Sequence, residues 1–172
     1  MKKEQLVLTR SRGFTLLEVT VAIFVVTVGI GGVFGFLQQT IFLGPTLNNQ
    51  LAASYLAQEG VEIVRNIRDT NYVRIALGGG GTWTDGLEGC AGNEYQGDYL
   101  SSSLDCFAGG ALSLDGNFYV HGAGVATPFQ RMITVTPNGA NRLDVAVEVQ
   151  WQERGNPYTF VVDTELYNWI GF

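Results

Sequence analysis

The sequence is poor in the residues on which most enzyme sites depend. It has one histidine and two cysteines among 172 residues, and only 15% of the residues are charged. The cysteines do not form a C-x-x-C pair, the GGGG segment at residues 78–81 lacks the lysine of a phosphate-binding loop, and no G-x-S-x-G motif occurs. His121 with scattered serines and aspartates is a weak basis for a hydrolytic triad. We therefore expect no enzyme, no catalytic residues and no metal site.

Positive charge is also scarce, and it is unevenly distributed. The chain has 10 basic and 16 acidic side chains, a net charge of −6. Four of the basic and one of the acidic residues precede Gly13, which leaves 6 basic and 15 acidic residues after it, a net charge of −9. An acidic surface repels nucleic acid, so no nucleic-acid partner is expected.

The one long apolar run extends from Phe14 to Leu37 and holds a single charged residue, Glu18. As a helix its 24 residues would span about 36 Å, which is longer than a bilayer requires. We therefore predict a membrane-crossing helix at residues 14–43, and the alternative is the buried core helix of a soluble protein. Basic residues precede the run and none follows until Arg65, so the positive-inside rule places the N-terminus in the cytoplasm and the remainder outside.

A second helical pattern follows Gly44-Pro45, a pair that predicts a break or a kink because a residue before proline is biased away from the helix. Residues 44–69 are predicted to form an amphipathic helix in which small and apolar residues recur every three or four positions. On its polar side, Glu62 could pair with Arg65 or Asn66. The apolar side, which needs a covering surface, consists of Ala53, Leu56, Ala57, Gly60, Val64 and Ile67.

Residues 70–110 are predicted to form a long, glycine-rich, irregular loop that contains both cysteines. Outside the cytoplasm a cysteine pair across such a loop usually forms a disulfide, so Cys90 is expected to pair with Cys106. Acidic side chains in loops can bind calcium, but the spacing fits no EF-hand, and a solvated acidic loop is the alternative. No other cofactor is expected. The acidic residues concerned are Asp85, Glu88, Glu94, Asp98 and Asp105.

Residues 111–172 are predicted to form a head of three or four antiparallel strands. Asn138-Gly139 predicts a turn between two of them. The strand candidates are residues 117–122, 129–136, 142–151 and 158–169. The third candidate alternates, with Leu143, Val145, Val147, Val149 and Trp151 on one face. A helix followed by strands in one module indicates an α+β fold, with a long N-terminal helix packed on one face of a small antiparallel sheet.

The residues RGFTLLEV resemble the processing site of the type IV prepilins and pseudopilins. The resemblance depends on a set of features: a short basic leader at residues 1–13, Phe14 directly after Gly13, the TLLEV run with its Glu18, and an apolar helix in register. It covers roughly residues 1–45, and beyond these only the predicted architecture, which is pilin-like, is similar.

The resemblance implies a processing reaction and a role for the acid. A membrane-embedded prepilin peptidase would cut between Gly13 and Phe14 on the cytoplasmic side and methylate the new amino group of Phe14. An ionised carboxylate in hydrocarbon is costly unless it is paired. In the family, the acid at the position of Glu18 is thought to meet the free amine of a neighbouring subunit. The alternative is an interfacial Glu18 that is protonated or reaches the headgroups.

The resemblance further implies a structural subunit of an inner-membrane-anchored filament, with its head outside the cytoplasm. The post-membrane helix resembles that of minor pilins and minor pseudopilins. The implied partners are prepilin peptidase, other pilin or pseudopilin subunits, an inner-membrane assembly platform and membrane lipid. A second hypothesis is a binding module at the filament tip that contacts a surface, DNA or a secreted substrate. Type IV pilus, type II secretion and competence systems all stay open as alternatives.

Overall fold

The computed structural model of the chain describes residues 13–170; the predicted leader, apart from Gly13, lies outside these residues. The described chain divides into two compact units, with the boundary after Pro45. One helix, α1 (Leu16–Ala76), contributes to both units. Within the first unit, the chain is helical from Leu16 to Pro45. The second unit holds the rest of α1 and all the strands of the described chain.

The break predicted at Gly44-Pro45 is not observed, because α1 continues through both residues. Proline inside a helix removes one i→i−4 hydrogen bond and introduces a steric clash, at a cost of about 3 kcal/mol. The neighbouring turns keep their own backbone hydrogen bonds, so a long helix tolerates this local loss. The division into compact units nevertheless falls at this position.

In the second unit, α1 buries the face that the sequence predicts. All six residues of that face are buried, and Glu62 and Arg65 form an ion pair at 2.6 Å on the other side. The helix ends at Ala76 rather than at the predicted residue 69. Two buried side chains hold the extra turns in place: Asn71 Nδ2 donates hydrogen bonds to the carbonyls of Trp83 and Asp85, and Tyr72 stacks on Trp83.

The main sheet has five antiparallel strands in the order β2-β1-β6-β7-β8. Two of its strands lie in the segment predicted to be an irregular loop, which corrects that prediction. They are too short for an alternating pattern to be visible in the sequence. The pairing of β1 with β6, and of β2 with β1, decides their conformation. The strands are β1 (Glu94–Gln96), β2 (Asp105–Cys106), β6 (Gln130–Pro137), β7 (Arg142–Glu153) and β8 (Asn156–Tyr167).

A second sheet, of three short strands in the order β4-β3-β5, lies between β2 and β6 in sequence. Its strands are β3 (Ser113–Asp115), β4 (Phe118–Val120) and β5 (Val125–Ala126). The strand predicted at residues 117–122 is confirmed as β4, but it does not join the main sheet. The head after residue 111 therefore contributes to two sheets rather than one.

The core of the second unit lies between α1 and one face of the main sheet. The alternation predicted for β7 is confirmed, since Leu143, Val145, Val147, Val149 and Trp151 are all buried. The inward face of β6 is buried in the same way. Together with the helix packed on an antiparallel sheet, this register establishes the α+β fold class that the sequence predicts.

One buried residue breaks the apolar pattern of this core. Arg131 on β6 is fully buried, and its guanidinium donates hydrogen bonds to the carbonyls of Leu56 (3.3 Å) and Gly97 (2.8 Å). Glu59 on α1 lies 3.4 Å away as its ionic partner. Burial lowers the pKa of Arg131 from its ordinary value, and Glu59 opposes that change. Arg131 thus ties α1, β6 and the loop after β1 together.

Candidate processing site

The predicted scissile bond lies in a short non-helical segment directly before α1. Gly13, Phe14 and Thr15 have no regular secondary structure, and all three are exposed. Phe14 has 82% of its surface accessible, and a Cβ placed on Gly13 would meet no atom within 4 Å. A peptidase that must bind an extended backbone could therefore reach the Gly13–Phe14 bond without first unwinding a helix.

Thr15 caps the helix that follows. The backbone N–H of Glu18 donates a hydrogen bond to Thr15 Oγ1 at 3.2 Å, which satisfies one of the amide donors that a helix start leaves free. Thr15 and Glu18 have the T-x-x-E spacing of a capping box, in which the acid also stabilises the first turn. The cap explains why the helix begins at Leu16 and leaves Phe14 outside it.

Glu18 lies in the first turn of α1, where a negative charge interacts favourably with the helix dipole. Glu18 is exposed, and exposed apolar side chains such as Ile23 and Phe24 follow it along the helix. The structure thus places Glu18 at the helix start, with its residue exposed. Its cap partner Thr15 was missed by the sequence analysis, although the T-x-x-E spacing was visible there.

The span that follows is suited to an apolar environment. Only α1 among the described helices is long and apolar enough to cross a membrane, and its apolar window is not buried within the protein. The hydroxyls of Thr20, Thr27 and Thr40 donate to the carbonyls of Leu17, Ile23 and Phe36 of the same helix. These polar groups are therefore satisfied inside the helix, as a lipid environment requires.

Comparison with known families matches residues 8–34 to the prokaryotic N-terminal methylation motif. The chain carries the N-terminal motif of the type IV pilins and pseudopilins. The match contains the Gly13–Phe14 bond, the capping pair and most of the apolar run, and it supports a member of that family. No curated protein and no solved structure is significantly similar to the chain.

The second unit holds the predicted disulfide. Cys90 and Cys106 are bonded, with their Cα atoms 5.3 Å apart, and neither described cysteine is free. The bond joins the start of a 3-10 turn (Ala91–Asn93) to β2. A cross-link here restricts the unfolded chain and closes the segment that carries β1.

The five acidic residues considered for calcium do not converge in the second unit. Asp85 is bound by Arg74 and by the hydroxyl and the amide of Thr82, while Asp98 accepts hydrogen bonds from the backbone and the ring of His121. Within residues 13–170, no three His, Cys, Asp or Glu side chains are grouped as metal ligands would be. The structure thus gives two of these carboxylates local partners within the protein.

The aromatic residues of the head divide between core and surface. Trp83, Tyr95 and Trp151 are buried, whereas Tyr99 and Trp169 are exposed. His121, the single histidine, pairs its Nδ1 with Asp98 at 2.8 Å and is mostly buried. Among the described residues, Gly13, Phe14 and Glu18 are exposed and also lie within the family match at residues 8–34. The N-terminal motif is therefore the candidate functional site.

Proposed function

We propose that this chain is a minor pilin or pseudopilin, a structural subunit of a type IV pilus-like filament. In this proposal it inserts into the inner membrane through the first part of α1, with its head outside the cytoplasm. Prepilin peptidase cuts after Gly13 and methylates the amino group of Phe14. The processed subunit then joins other subunits through its apolar helix, on an inner-membrane assembly platform.

The observation that carries the proposal is the coincidence of the motif with the local geometry. Residues 8–34 match the methylation motif, and inside that match the Gly13–Phe14 bond is exposed and non-helical, ahead of a helix capped by Thr15. The next peptide bond, Phe14–Thr15, directly adjoins the capping residue. Cutting here would place the new amine on Phe14, two residues before Leu16, the first residue of the helix.

The assembly role of Glu18 follows from energetics. A carboxylate at the edge of hydrocarbon is costly when unpaired, and its cost falls when it meets a cation. The amino group of Phe14 exists only after cleavage, so pairing with that group on a neighbouring subunit would favour processed subunits over unprocessed ones. The same pair would also set how far one helix is displaced along the other.

The glycines of the span support close helix packing. A Cβ placed on Gly29, Gly31, Gly32 or Gly35 would meet no atom within 4 Å, so intramolecular packing does not require these residues. In membranes, small residues let neighbouring helices approach closely. We therefore assign them to contacts with other subunits in the filament.

The decisive experiment is mass spectrometry of the chain purified from membranes of a host that has prepilin peptidase, compared with a host that lacks it. The expected product begins at Phe14 and carries one added methyl group on its amine. A chain in the first host that still begins at Met1 would refute the proposal. Tip or shaft location can then be determined by labelling the head in isolated filaments.

A further inference from the structure

Strand β8 forms the long edge of the main sheet, and the two-residue strand β2 forms the other edge. Among residues 13–170 the sheet order ends at β8, which pairs with β7 over its whole length and with no strand on its other side. Natural edge strands are usually protected by lysine, proline, bulges or short length. β8 has twelve residues, no lysine, and a single proline near its start.

That proline identifies which backbone groups face the open edge. In an antiparallel pair, residues alternate in whether their amide and carbonyl point to the partner strand. Pro157 has no N–H, and a proline in a strand is tolerated where its nitrogen points away from the ladder. Residues with the parity of Pro157, namely Thr159, Val161, Asp163 and Glu165, therefore direct their backbone groups to the open side.

A groove runs beside this edge. It encloses about 410 Å³ and lies between α1 and β8 within the second unit. Its lining includes the apolar side chains of Val61 and Val162, with the Glu62–Arg65 ion pair on the helix side. Val162 is only half-buried and packs on the core. A strand added to β8 would place alternate side chains over these apolar residues.

The opposite face of the same edge is acidic. Asp163 and Glu165 are exposed on β8, and their cross-strand neighbours on β7 include Asp144. Arg142 is the basic side chain in this group, and it pairs with Asp144 at 3.0 Å and with Glu165 at 3.5 Å. Within residues 13–170, Asp163 forms no ion pair. A second copy of β8 would bring the same two acids to this edge, and like charges on facing strands are destabilising.

We propose that β8 is a docking edge that takes an extended segment of another protein, in which apolar residues alternate with lysine or arginine. The backbone of that segment would pair with the open groups of β8, as in strand addition. Its apolar side chains would enter the groove over Val61 and Val162. Its basic side chains would lie on the outer face beside Asp163 and Glu165.

The test uses the full chain in detergent micelles and two fluorescein-labelled seven-residue peptides, one alternating valine with lysine and the other valine with glutamate. Fluorescence anisotropy should show the lysine peptide binding more tightly. Val161→Pro removes one open-edge N–H and should weaken binding at least tenfold. Val161→Ala shortens the side chain but keeps the N–H, so this variant should bind the lysine peptide as tightly as the unaltered chain does. Asp163→Asn should weaken binding about two- to fivefold, the range expected for a cross-strand charge pair.

Several results would overturn the proposal. These are equal binding of both peptides, no binding of the lysine peptide at millimolar concentration, and unchanged binding by Val161→Pro. Self-association of the unaltered chain that Val161→Pro abolishes would assign the edge to a second copy instead. Circular dichroism checks that Val161→Pro folds; if it does not, Thr159→Pro with Thr159→Ala repeats the comparison on the same side of the strand.

Discussion

The same residue types behave in opposite ways in the two compact units. In the first, Phe24 and Val25 of α1 expose 67% and 62% of their surface, whereas in the second, Val64 of the same helix and Val147 of the sheet are fully buried. Packing within the chain thus accounts for the apolar residues of the second unit. Those of the first unit need a surrounding that the chain does not supply, which a bilayer and neighbouring helices would provide.

The two units also differ in their similarity to known families and in their tertiary contacts. The first has a motif that a family model matches and few tertiary contacts, while the second has an ordered core, a disulfide and no match. Processing should therefore depend on the first unit alone, and stability on the second. Each of the following changes tests that separation.

The largest effect is expected from Gly13→Val. A side chain at residue 13 has open space around it in this structure, so folding should be unaffected, but a branched side chain next to the scissile bond should exclude it from the peptidase. Intact mass measurement should show the unprocessed chain only. Gly29→Ala is the control and should be processed normally. A mature mass for Gly13→Val would mean that the peptidase reads other residues.

Glu18→Ala should remove incorporation into filaments while membrane insertion and cleavage continue. Glu18→Gln is the informative partner, because glutamine can still serve in a capping box but cannot pair with an amine as an anion does. Sheared filaments are collected and probed by immunoblot, with N-terminal mass confirming cleavage. Both variants should be missing from the filament fraction. Normal incorporation of Glu18→Gln would show that the cap, and not the charge, is what assembly requires.

Loss of the disulfide should destabilise the head and leave processing intact. Replacing Cys90 and Cys106 with serine should lower the free energy of unfolding by about 3 kcal/mol, since the cross-link restricts the unfolded chain. Denaturant titration of the full chain in micelles, followed by the fluorescence of the buried Trp83 and Trp151, measures this change. Loss of processing in this variant would contradict the separation of the two units, and an unchanged free energy of unfolding would contradict the stabilising role of the disulfide.

Gly60→Ala should destabilise the head by a smaller amount. A Cβ at this position would lie 2.7 Å from Val147 Cγ1, and such overpacking costs about 1–3 kcal/mol. The helix propensity of alanine returns about 1 kcal/mol of this. The same titration should show a net loss near 1 kcal/mol, whereas Gly29→Ala in the first unit should not change the head's unfolding midpoint. Equal effects at both positions would contradict the packing argument.

The smallest effect is expected from the protonation of Asp85 at low pH. Hydrogen bonds from the hydroxyl and the amide of Thr82, with help from Arg74, hold the pKa of Asp85 below its ordinary value of 3.8. The contribution of this carboxylate to stability is therefore present above pH 3.8 and is lost as the pH falls through the lower folded value. Because Asp85 is well exposed, the contribution is expected to be under about 1 kcal/mol. Asp85→Asn should flatten the unfolding free energy between pH 5 and pH 2, and an unchanged pH profile would refute this.

Regular periodicity made much of the second unit predictable. The apolar face of α1 and the alternation of β7 follow from the repeats of helix and strand, and both were confirmed. The turn at Asn138-Gly139 was also predictable, because these residues favour a tight turn. Prediction failed where the pattern was too short or non-local. One such place is β1 and β2, which are strands because β1 pairs with β6 and β2 pairs with β1. The other is the last turns of α1, which Asn71 and Tyr72 hold through contacts with residues 83 and 85.

The candidate site was predictable to a different extent. Gly13, Phe14 and Glu18 were named from the motif, but the cap by Thr15 was not, although its spacing was available. The pairing of Cys90 with Cys106 was predicted because the chain has two cysteines and both lie in a segment expected outside the cytoplasm. The burial of Arg131 was not predicted. Its position on β6 places it on the same inward face as Ile133 and Val135, but its charge argued against burial. The carbonyls of Leu56 and Gly97 and the carboxylate of Glu59, all distant in sequence, make that burial tolerable.

The sequence alone determined the basic leader, the apolar span, the Gly13–Phe14 motif and the two main periodicities, because each depends on residues close together in the chain. Only the tertiary structure decided that α1 continues through Pro45 to Ala76, that a second sheet forms, that Arg131 is buried and that β8 ends the main sheet with an open edge. Those outcomes depend on contacts between distant residues, whose free energies no local pattern records.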